Sequence, residues 1–140
     1  MHEQAERQYQ TVLAIDSTAA VAANNLAYRY AEGNRNLSEA LRLAETARQR
    51  LPADANTSDT LGWVHFKLGS TRLAIRELEV SVRENPNDPL NRYHLGLAYK
   101  QDGEVDKAIE SLRAALKLNP NFPEADAARQ ALASLGGSEK

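Results

Sequence analysis

Apolar residues recur at intervals of three and four along almost the whole chain. That spacing puts them on one face of an α-helix and leaves the other face polar. The pattern predicts eight helices, over 3–15, 19–32, 37–50, 55–68, 71–84, 89–101, 104–117 and 122–135, and no strands. Breaker residues punctuate it. Gly33, Gly69 and Gly103 stand where alternate helices should end, as C-terminal glycines do. Pro52, Pro86 and Pro120 stand where the intervening helices stop, because proline lacks the N–H that would continue them. Asp88-Pro89 reads as a cap followed by proline at the first helical position, and Asn121-Phe122-Pro123-Glu124 reads as the same start for the last helix. Asn36 followed by Glu39 reads as a capping box. Gly136-Gly137 closes the last helix.

The punctuation is periodic. Pro52, Pro86 and Pro120 are 34 residues apart, as are Ala40, Ala74 and Ala108. Leu61-Gly62 and Leu95-Gly96 keep the same interval, and Leu26-Ala27 precedes them by 35. The extra residue falls in the turn 33–36, where insertion costs little. A period of about 34 is the signature of stacked helical hairpins. Such an array is a surface built by repetition, without an enclosed pocket by default, so the first expectation is a binding scaffold. Small residues explain how each hairpin closes. Ala27, Gly62 and Gly96 lie mid-way along first helices, and Ala40, Ala74 and Ala108 near the start of second helices. They let two helix backbones approach closely. Leu26, Tyr30, Leu61, Leu95, Tyr99, Leu78, Leu112, Leu116 and Leu118 are expected to fill the space around them.

The stretch from Leu95 to Asn121, LGLAYKQDGEVDKAIESLRAALKLNPN, resembles a tetratricopeptide repeat almost position for position. The resemblance covers nearly the whole chain: a half repeat over 3–19, full repeats over 20–54, 55–88 and 89–121, and a capping helix over 122–135. It departs where the usual tryptophan is Ala23, Ser58 and Arg92, where His65 replaces the tyrosine that Tyr30 and Tyr99 supply, and where Ser17 stands for the first proline. The resemblance implies an all-α, right-handed superhelical array whose first helices line a concave groove for a peptide or helix of another protein.

Carried over residue by residue, the groove positions implied by the resemblance are Val21, Asn24, Tyr28, Ala31 and Glu32 in one repeat. They are Asn56, Asp59, Trp63, Phe66 and Lys67 in the next, then Leu90, Tyr93, Leu97, Lys100 and Gln101, with His94 beside them. Four of the eight aromatic residues are in this set. Exposed aromatics beside a few polar groups are what binding hot spots look like, so Trp63 is expected at the centre of the groove. The same rings could instead pack on the neighbouring repeat; both readings stand for Trp63, Tyr28 and Tyr93, while Leu97 reads as packing. The Lys/Asn carboxylate clamp of chaperone-binding relatives is not expected, since of Asn24, Tyr28, Asn25, Asn56 and Thr60 only Asn25 fits it. Nor is an asparagine ladder, because Thr60 and His94 follow Asn25.

Chemistry adds exclusions. With 17 basic and 19 acidic residues well mixed, nothing resembles a nucleic-acid footprint. There is no cysteine, so thiol chemistry is absent. No stretch is long and apolar enough to span a membrane. No catalytic constellation, metal-ligand spacing or cofactor loop is found. His65 occupies a hairpin packing position. Charges on second helices, Arg42, Glu45, Arg76, Glu79 and Arg83 among them, read as a solvated outer face, with Glu79–Arg83 as a helical ion pair.

The chain opens on a second helix without its partner. This reads as a fragment of a longer protein, with Tyr9, Val12, Leu13 and Ile15 forming an exposed patch suited to self-association. The partner is thus expected to be another protein or peptide, or a second copy; an alternative is a regulatory arm of an enzyme in the parent chain. Asn24-Asn25-Leu26-Ala27-Tyr28 and Leu61-Gly62-Trp63-Val64 are similar to repeats of bacterial envelope proteins, which would place the parent in a bacterial cytoplasm or periplasm. The compartment itself is not written in the sequence.

Overall fold

The structure is a computed structural model. It describes residues 2–16 and 19–138, without the side chains of His2 and Ile15. Among the described residues there are eight helices and no strand: α1 (His2–Ile15), α2 (Ala20–Glu32), α3 (Leu37–Arg50), α4 (Ala55–Leu68), α5 (Thr71–Glu84), α6 (Pro89–Gln101), α7 (Val105–Leu118) and α8 (Ala125–Ser134). Each helix packs on the next in sequence, and the tightest pairs are α2/α3, α4/α5 and α6/α7. No described helix is long and apolar enough to cross a membrane.

Local chemistry sets the ends. The Asp54 carboxylate accepts from Asn56 N–H at 2.9 Å, and Asp88 accepts from Leu90 N–H at 2.9 Å with Pro89 behind it. Each cap satisfies a backbone donor that the helix itself cannot. Gly69 ends α4 at φ 82°, a left-handed conformation that costs glycine little. Helix α3 begins at Leu37 as expected but without its capping box, and α8 begins late. Asn36 sits at φ 51° and makes no side-chain cap, and Glu39 turns to Arg42 instead. The inserted residue in this turn leaves both Asn34 and Asn36 left-handed, and the Asn36 side chain does not reach forward to the Glu39 N–H as a capping box requires. At the last helix, Asn119 caps a turn through Asn121 N–H at 3.0 Å, and the helix begins only at Ala125.

The small residues do what their spacing implies. A methyl group added at Gly62 would lie 2.6 Å from Leu78 Cγ and 3.2 Å from the Ala74 carbonyl oxygen. At Gly96 it would lie 2.8 Å from Leu112 Cγ. Both approaches are tighter than van der Waals contact allows. Leu78 and Leu112 are fully buried in the notch the glycines leave, each contributing about 1.5–3 kcal/mol of burial. Leu118, expected in the core, is instead 40% exposed at the end of α7.

Each second helix packs on the next first helix, and the first helices also meet across hairpins. Among the described residues, α2 touches α4 and α4 touches α6, whereas α3, α5 and α7 make no comparable contact with one another. First helices therefore crowd together and second helices fan apart, which curves the array with the first helices inside. Side-chain bonds from the second helices add to this stacking, one of them between α3 and α5. Arg48 pairs with Glu77 at 2.8 Å, Thr71 donates to Gln101 at 2.7 Å, and Tyr99 donates to Glu79 at 2.5 Å. The last of these replaces the Glu79–Arg83 pair expected from spacing. Helix α1 is also bound in: Glu6 pairs with Arg35, and Gln10 donates to the Tyr30 hydroxyl at 3.2 Å.

Candidate binding cleft

On the inner side the first helices enclose an open cleft of about 890 Å³. Helix α2 supplies Asn24, Asn25, Tyr28, Arg29 and Glu32 to it. Helix α4 supplies Asn56, Asp59 and Thr60, and α6 supplies Leu90. The intervals of three and four put each set on one helix face. Glu6 and Tyr9 of α1 close one end, and Glu124, just before α8, stands at the other.

Of the expected groove residues, Asn24, Tyr28, Glu32, Asn56, Asp59 and Leu90 line this cleft. Trp63, Phe66, Lys67, Tyr93, His94 and Leu97 do not, nor do Val21, Ala31, Lys100 and Gln101. Trp63 is 4% exposed, so the expectation of an exposed aromatic at the groove centre is corrected. Its indole stacks on His94 with centroids 4.0 Å apart and on Phe66 at 4.8 Å, and Lys67 Nζ sits 4.9 Å from the ring. Its Nε1–H donates to Glu32 at 2.7 Å. The ring is a spacer between three repeats: α2 through Glu32, its own α4, and α6 through His94. His94 is 1% exposed and hydrogen-bonds through Nδ1 to Asp59 at 2.8 Å. Sealed between Trp63 and the rings of Tyr28 and Tyr93, it acts as a strut and not as a contact for ligand. Tyr93 is buried against Phe122, and Leu97 packs into both adjoining core clusters.

The cleft wall is polar. Asn24 Oδ1 is shielded from solvent and accepts no hydrogen bond. The Tyr28 phenol is pushed well above its ordinary range, first by burial and then by Glu32, Asp59 and Glu124. The cations gather at the α1 end, where Arg35 pairs with Glu6 and Arg29 lies over the Tyr9 ring at 5.7 Å.

The expected self-association patch is only partly there. Tyr9 and Leu13 pack against the first core cluster, and Tyr9 also faces the cleft. Val12 is 44% exposed. The side chain of Ile15, and Ser17, lie outside the described residues. A half repeat can thus dock its apolar stripe on the following hairpin and leave little of it open.

Residues 92–122 match the tetratricopeptide repeat family. The fold is the tetratricopeptide-repeat fold. The solved structure of MamA is 25% identical, with a TM-score of 0.75, over 96% of this chain and 79% of that one. YrrB, described as a tetratricopeptide-repeat protein with an unusual peptide-binding site, is 27% identical, with a TM-score of 0.68, over 99% of this chain and 71% of that one. The type III secretion translocator chaperone SycD of Yersinia enterocolitica is 21% identical, with a TM-score of 0.74, over 87% of this chain and 95% of that one, a likeness of fold. Among curated proteins, the photosystem I assembly protein Ycf3 of Synechococcus sp. (strain CC9605) is 28% identical over 65% of this chain. The chain spans 58% of the length of that relative.

The tetratricopeptide positions inherited by resemblance found the α2 and α4 faces but missed Glu6, Arg35 and Glu124. These come from the half repeat, a turn and the linker before α8, which the repeat grammar does not cover. Their signal was available only as charge in segments outside the regular repeat.

Proposed function

We propose that this protein is a non-catalytic interaction scaffold that holds an extended peptide segment of another protein in the cleft. The helix pairs act as repeats over 20–54, 55–88 and 89–121, with 3–19 and 122–135 as end pieces. One observation carries the reading: an open cleft of about 890 Å³ runs across the first helices, lined by the amides of Asn24, Asn25 and Asn56. Side-chain amides both donate and accept, which suits them to the N–H and C=O groups of an extended peptide backbone. Asn56, exposed on the opposite wall, can reach the other side of the same peptide backbone. The description of YrrB as having a peptide-binding site supports the class of ligand.

The test is a photo-cross-linking amino acid at Asn56 in the full chain, irradiated in the producing cell. Adducts should map to one short segment of a discrete protein, and Asn24→Ala combined with Tyr28→Phe should abolish them. Adducts that survive both changes, or scatter over many proteins, would contradict the proposal.

A further inference from the structure

We infer that the cleft selects a lysine or arginine side chain of its bound peptide, seated between Tyr28, Asp59 and Glu124; this rests on the peptide-binding reading above. The argument begins from hydrogen-bonding capacity. The Glu32, Asp59 and Glu124 carboxylates and the Tyr28 phenol oxygen all accept, and these four residues border the cleft. The cleft's two cations are held elsewhere: Arg35 is committed to Glu6, and Arg29 lies over Tyr9. The wall is therefore rich in acceptors and acidic away from α1, and its complement is a cation with several N–H donors.

Each carboxylate has a reason to stay where it is. Asp59 is 5% exposed and fixed by His94, and Glu32 is fixed by the Trp63 indole. Preorganised acceptors lose little freedom when a ligand arrives. Burial strengthens the attraction, since a cation between half-desolvated carboxylates is screened less than at an open surface.

The test starts from a displayed library of random 12-residue peptides selected on the wild-type chain. Recovered binders should share one fixed Lys or Arg. In the synthetic peptide, changing that residue to citrulline or norleucine, which keep length and lose charge, should weaken binding at least tenfold. Glu124→Gln should weaken the cationic peptide several-fold, flatten its salt dependence and leave the citrulline or norleucine peptide unaffected. Thermal melting of the variant, unchanged, separates this from misfolding. Glu32→Gln, which keeps an acceptor for Trp63, serves as the second variant with the same expectation. Binders without a fixed cation, or indifferent to both glutamine variants yet lost with Asn24→Ala and Tyr28→Phe, would overturn the cation subsite and leave the cleft standing. Failure to recover binders, or binders indifferent to Asn24 and Tyr28, would overturn both.

Discussion

At Trp63 a single ring holds three repeats in register, touching His94, Phe66 and Lys67 and donating to Glu32. Trp63→Ala should therefore cost about 3–5 kcal/mol in chemical denaturation, and any loss of binding should track that loss. Trp63→Phe keeps the stack and removes the indole donor, leaving Glu32 without it, at about 1–3 kcal/mol. The sequence could not choose between these roles for Trp63. A ring on an inner helix face is exposed or buried according to what the next repeat places opposite, and here that is the flat, hydrogen-bonded ring of His94. Gly62 was legible, because a glycine in register with an alanine on the partner helix implies close backbone approach. Gly62→Ala should lower stability by about 1–3 kcal/mol, read by denaturant midpoint, because its methyl would press into Leu78.

At the scale of helices, one inter-repeat bond recurs with an interval of 20 residues. Tyr30 meets Gln10, and Tyr99 meets Glu79. At the middle copy His65 feels the charge of Glu45, but the imidazole is shorter than a phenol, and its Nδ1 is buried without a partner. His65→Tyr should restore the bond and raise stability by about 0.5–1.5 kcal/mol, seen as a higher melting temperature. Burial holds the His65 pKa below its ordinary value, against the opposing pull of Glu45 and Glu77. The unfolded chain then binds the proton more readily. Stability from this site is complete above about pH 6.5 and falls as the pH drops below it toward the folded value. Melting between pH 7.5 and 5 should thus be less steeply pH-dependent in His65→Tyr than in the parent. Helix positions were readable throughout, since period, proline and glycine agreed. The exceptions are the start of α8 and the cap of α3, where turn geometry at Asn119–Glu124 and at Asn36 overrode a familiar residue order.

For the molecule as a whole, curvature follows from crowding of the first helices, and the cleft follows from curvature. The middle of the cleft was legible from the repeat register, as Asn24, Tyr28, Asn56 and Asp59 show. Its ends were not, because Glu6 and Glu124 lie in segments that break the repeat. Their charge gives the cleft a polarity, with cations near α1 and carboxylates away from it. Peptide affinity should accordingly fall as salt is raised from about 0.05 to 0.5 M, more so for wild type than for Glu124→Gln. The most direct measurement pairs calorimetric titration of a library-selected peptide with thermal melting, on Asn24→Ala. Asn24 Oδ1 has no donor in the free protein, so removing it relieves a cost and the melting temperature should hold or rise. The truncated side chain loses its contact with the peptide, so affinity should fall by about 3- to 10-fold. Weaker melting with unchanged affinity would contradict the account, since Asn24 would then be part of the scaffold and not of the binding surface.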